Sequence, residues 1–133
     1  MTDAEILTLV DRLERCLLGK TEFHHRDHLA VAVAYLYAGD FDHAVERMRA
    51  SLIRFASHHG VAGLYHETRT CFWLQQVESR LDRLICLENS VRMIQDQLAD
   101  KDLVLAYYSQ ERLDSQEARS QWLPPDLPPV PAK

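Results

Sequence analysis

Residues 40–60 read DFDHAVERMRASLIRFASHHG, and this stretch decides the fold class. Phe41, Ala44, Val45, Met48, Leu52 and Phe55 recur at intervals of three and four, which places them on one side of an α-helix. Asp40 offers a side-chain acceptor to the free amides of a first turn, and Gly60 stands where a helix end tolerates the left-handed conformation. Such a helix is stable only when other elements cover its apolar stripe.

The flanking sequence supplies them. Thr2-x-x-Glu5 is a capping box, followed by Ile6, Leu7, Val10, Leu13 and Leu17 at helical spacing up to a stop near Gly19. After a link from Lys20 to Phe23, Leu29, Ala32, Val33 and Leu36 mark a second helix ending near Gly39. Beyond a loop at 60–64, a fourth helix starts at Tyr65 or His66 and carries Phe72, Trp73 and Val77. Asn89 or Ser90 is expected to cap a fifth helix bearing Val91, Ile94 and Leu98, followed by an apolar segment at 103–108 and a final helix from about Ser115 to Trp122. No segment alternates with strand periodicity. The expectation is an all-α fold: a compact helical bundle of about five to six helices over residues 1–123, the first four supplying the core. A proline-rich C-terminal tail, 124–133, follows it.

Bulk properties narrow the function classes. A chain of 133 residues forms one domain and needs neither disulfide nor metal to hold it together. Its net charge is −5 and no basic face is visible, which argues against a nucleic-acid partner. The acidic start and the short apolar run from Leu29 to Ala38, about half a bilayer span, argue against a membrane partner and make the cytoplasm the expected location. Cys16, Cys71 and Cys86 lack the spacing of a disulfide framework or zinc knuckle and read as reduced thiols, mostly buried. Arginines 12, 15, 47, 49 and 54 read as solvated faces paired with acidic residues, and Tyr107, Tyr108 and Trp122 as pins for the C-terminal segment.

Polar chemistry concentrates in two motifs that each open a helix. In Phe23-His24-His25-Arg26-Asp27-His28-Leu29, the helical wheel turns His25 and His28 inward, with His24 further round and Asp27 outward as a partner of the N-terminal dipole. In Tyr65-His66-Glu67-Thr68-Arg69-Thr70, His66 aligns with Thr70, Trp73 and Val77, and Glu67 lies at the border of that face. Thr70 is placed to donate to a ligand or to the His66 carbonyl. If the helix starts share one end of the bundle, His25, His28 and His66 converge. Three neutral imidazoles suit a divalent transition metal, zinc or iron foremost. His59, at the end of the third helix, is a secondary candidate already explained by the helix dipole.

Three segments also carry a resemblance. Phe23, His25, His28 and Leu29; Tyr65, His66, Glu67, Thr68 and Thr70; and the stretches Tyr108–Arg119 and Pro125–Pro131 together resemble an uncharacterised family of small helical bacterial proteins. Its motifs are F-x-H-x-x-H-L, Y-H-E-T-x-T and P-D-L-x-P-x-P. The resemblance spans most of the chain and implies no activity. This chain departs from the pattern at His24, where a small hydroxyl residue is common, and at Leu64, where a basic residue is common.

The leading expectation is a small metalloprotein, an enzyme in one version, in which His25, His28 and His66 hold the metal and Glu67 acts as fourth ligand or general base. Thr70 assists, and a small molecule is the substrate. Two alternatives stand beside it. One is a non-catalytic interaction or scaffold protein with structural histidines, its exposed faces or P-x-x-P tail contacting a partner. The other is a metal-free pocket using His66 and Glu67 as an acid–base pair.

Overall fold

A computed structural model describes residues 1–127. The rest of the proline-rich tail, Pro128 to Lys133, with most of its P-x-x-P spacing, lies outside the described residues. Those described are all-α, with seven α-helices, two 3-10 segments and no strand. The helices are α1 (Asp3–Glu14), α2 (His25–Ala38), α3 (Phe41–His58), α4 (Glu67–Arg80), α5 (Leu87–Gln97), α6 (Gln110–Asp114) and α7 (Gln116–Ser120).

The fold is built around α2, which α1, α3, α4 and α5 all contact. Every residue from Leu29 to Leu36 is buried, so this helix is apolar on all sides, as a central helix must be. Leu98, Val104, Tyr108 and Leu113 join the same core, which therefore extends well past the first four helices.

The caps read from sequence are present. Thr2 and Glu5 exchange bonds of 3.2 and 2.9 Å across the start of α1, and Asp40 accepts from the His43 amide at 2.8 Å. Gly60 follows α3 at φ +72°. Elsewhere the structure differs from expectation. Cys16 takes the left-handed conformation at φ +56°, so α1 stops well before Gly19, and both Leu7 and Leu17 face solvent. α5 starts at Leu87, ahead of Asn89, with Cys86 at its N-cap. The single final helix is two short pieces, because Ser115 ends α6 and accepts from the Ala118 amide to start α7.

The arginines divide. Arg47 donates to Glu14 at 2.8 Å and lies over the Tyr35 ring, while the Tyr35 hydroxyl meets both Glu14 and Ser51. Arg49 is drawn into the start of α4. Residues 123–127 fold back on the body. The Tyr108 hydroxyl donates to the Leu123 carbonyl, the Asp126 carboxylate accepts from Ser109, and the Leu127 amide reaches the Tyr107 carbonyl. Tyr108 pins this segment as expected, whereas Trp122 is exposed.

Candidate functional site

His66, Glu67, Thr68 and Thr70 of the second motif are each committed to neighbours. His66 is the N-cap of α4, its Nδ1 accepting from the Arg69 amide at 3.1 Å and its Nε2 lying 2.7 Å from the Leu113 carbonyl. A carbonyl only accepts, so Nε2 carries the proton, and the neutral ring has its one donor and one acceptor both in use. Burial holds the His66 pKa below the usual imidazole value, with the Leu113 carbonyl opposing.

Glu67, next along, is buried and turns toward α3. It accepts from Arg49 Nε and Nη2 at 2.9 and 2.6 Å, from the Tyr65 hydroxyl at 2.6 Å and from the Cys71 thiol at 3.5 Å. The Arg49 bonds keep the carboxyl below its ordinary pKa, and burial with the adjacent carboxylate pushes the Cys71 thiol up to about 12. Thr68 shares its hydroxyl proton between the Ala118 and Gln121 carbonyls, at 2.7 and 2.9 Å, and accepts from the Leu123 amide at 3.2 Å. Thr70 donates to the His66 carbonyl at 2.9 Å. The motif is a clasp that joins α3, α6, α7 and the segment after α7 to the start of α4.

The first motif behaves differently. Asp27 serves the first turn of α2, accepting from the His24 amide at 3.0 Å. His25 donates Nε2–H to the Leu98 carbonyl at 2.8 Å and sets its ring edge-on to Trp73, with centroids 4.6 Å apart. His28 has no such partner. Its Nε2 is buried without a hydrogen bond, beside the Phe23 ring at 5.9 Å. Burial, with the nearby His25 adding to it, pushes the His28 pKa down to about 4, so the ring is neutral at physiological pH.

His28 and His66 line one cavity of about 330 Å³. Leu52, Phe55 and Ala56 of α3, with Val61 and Leu64 of the following segment, form its apolar walls. Lys20, Tyr65, Arg69 and Thr70 complete the lining. Leu64, 66% exposed, marks the solvent edge. His25 lies outside this cavity, on a separate and larger pocket of about 580 Å³ with Arg26, Arg92 and Asp96. His59 also stays out, donating Nε2–H to the Leu18 carbonyl at 3.0 Å.

A metal at His25, His28 and His66 would need three lone pairs aimed at one point. His66 has none free, His25 turns to Leu98, and Glu67 is saturated by Arg49 and Tyr65. Among the described residues no three His, Cys, Asp or Glu side chains gather into a set that could hold a metal ion.

No family model, curated protein or solved structure matches this chain. Among the described residues, no helix is long and apolar enough to cross a membrane.

The sequence reading gave no role to Lys20, Arg69 or Thr68. Arg69 stands three residues after His66, one helical turn on, a spacing that could have brought it into the site. Lys20 had no signal, since a lysine in a link looks like any solvated residue.

Proposed function

We propose that this protein binds a small organic molecule, without a metal, in the cavity between α3 and the starts of α2 and α4. One observation carries the reading: a buried, unpartnered imidazole nitrogen, Nε2 of His28, on a side chain that lines a cavity with apolar walls from α3 and the segment after it. A buried polar atom without a partner costs about 1–3 kcal/mol, and folded proteins retain such a cost where function uses it. A ligand bearing one hydrogen-bonding group offsets it. Nε2 is covered in the resting structure, and a half-turn of the ring about Cβ–Cγ exchanges it with Cε1 without changing the shape of the side chain. The volume falls at the lower end of small-molecule sites, which span about 300–1,000 Å³.

A metal on His66 would have to displace the Arg69 amide, which starts α4, or the Leu113 carbonyl, which ties the ring to α6. An acid–base role for His66 with Glu67 does not enter this proposal, since the two side chains turn to different partners and Thr70 spends its proton on the His66 carbonyl. His25 and His66 instead have the structural character that the scaffold alternative gives them, and the cavity sets the protein apart from that alternative.

The test is a ligand screen followed by the ring-nitrogen resonances of all seven histidines, beside elemental analysis of protein purified without chelator. The expected outcome is a ligand that moves the His28 signals and leaves those of His25 in place, on metal-free protein. Stoichiometric metal that disappears in His66→Ala would overturn the reading.

A further inference from the structure

Two cations border this cavity without an ion-pair partner. Lys20 is exposed and Arg69 half-buried, and among the described residues neither forms a salt bridge, although four other arginines do. The Arg69 backbone amide is taken by His66, while its guanidinium makes no hydrogen bond among the described residues. The acidic residue nearest Lys20 in sequence, Glu22, turns its carboxylate to the Gly19 amide. Arg119, donating to the Gly63 carbonyl at 3.4 Å, adds positive charge beside the Leu64 edge. Asp114 opposes it from α6 but is engaged by Gln110 at 2.8 Å. The chain as a whole carries −5, so positive charge left uncompensated at an apolar cavity runs against the average of the molecule.

We infer that the ligand is a small carboxylate with an apolar body, its charge held by Lys20 and Arg69 and its body by Leu52, Phe55 and Val61. This rests on the cavity reading above and names the class of molecule. The guanidinium plane fits a carboxylate through two parallel bonds, and the ammonium supplies a second, mobile contact. Both cations are nearer solvent than His28 Nε2, so the charged end of the ligand stays at the wet side while the body enters. Five apolar side chains on the walls favour a ligand with an extended hydrocarbon body, which a carboxylate at one end leaves otherwise uncharged.

The experiment is calorimetric titration of the full chain with octanoate and, separately, with octan-1-ol, which has the same body and no charge. Each is repeated on Lys20→Gln, Arg69→Gln and, as a control at the separate pocket beside His25, Arg92→Gln. The inference expects octanoate to bind about tenfold or more tightly than the alcohol, the worth of one charge-assisted bond, with the advantage shrinking as salt is raised. It expects the advantage to fall in Lys20→Gln and Arg69→Gln and to persist in Arg92→Gln. Thermal melts establish that the variants fold, which is expected because neither side chain has an intramolecular partner. Octanol binding as tightly as octanoate would overturn the carboxylate inference and leave the cavity reading standing. Binding of neither at millimolar concentration would overturn both.

Discussion

At the scale of the single residue, two histidines one helical turn apart have opposite fates. His25 and His28 both face inward, as the spacing predicts, yet His25 meets the Leu98 carbonyl and His28 Nε2 meets nothing. That difference sets a pH dependence. An unfolded histidine takes up its proton near pH 6.5, and folded His28 resists it down to about 4. Between those values the unfolded chain holds the extra proton, so stability rises with pH through the window and falls on acidification, by about 1.4 kcal/mol per pH unit for one such group. His66, also lowered, acts in the same direction, and Glu67 adds a further loss below its unfolded value. Replacing His28 with Phe removes the unpartnered nitrogen, and we expect about 1–2 kcal/mol of added stability at neutral pH together with a flatter profile between pH 6.5 and 4. Thermal melts of both proteins across that range check this, and a destabilised variant with an unchanged profile would contradict it.

At the scale of the element, α4 starts on an unusual cap. Ser, Thr, Asp and Asn dominate that position. A histidine there does what they do and also reaches across to α6 with its second nitrogen. His66→Ala should cost about 2–3 kcal/mol, combining a lost cap with an orphaned buried carbonyl, whereas His66→Asn should keep the cap and recover part of the loss. Hydrogen exchange should show the amides of residues 110–123 opening along with the first turn of α4. If only the α4 amides respond, the tie to α6 is not energetic. The inward placement of both motifs was legible from the 3.6-residue period, and so was the alternative that Thr70 back-bonds to the His66 carbonyl. What each side chain would meet was not legible. Periodicity fixes a direction on one helix, but the partners of Glu67, Thr68 and His66 come from α3, α7 and α6, far away in sequence. The same limit made Arg49 look like a solvated surface residue.

At the scale of the whole molecule, the short C-terminal helices are part of the core. Tyr108, Leu113 and Ala118 are buried, and the carbonyls of Leu113, Ala118 and Gln121 serve His66 and Thr68. A chain ending at residue 106 should therefore lose its sharp thermal transition and gain exposed apolar surface, readable as dye binding. A melting temperature within a few degrees of the full chain would show that the clasp closes the fold without supporting it. The all-α class and the capped starts of α1 and α3 followed from local pattern. The extension of the core beyond the first four helices did not, because residues 103–119 are too short and too broken by turns for a periodic stripe to show.

The clasp also bears on synthesis. A nascent chain that has just exposed α4 still lacks every acceptor that His66 and Thr68 use, since those carbonyls belong to residues 113–121. Translation of that interval takes on the order of several seconds at ordinary elongation rates, during which the start of α4 holds buried-type polar groups without partners. Closure of the clasp thus waits on the translation of residues 113–121 and is timed by the ribosome.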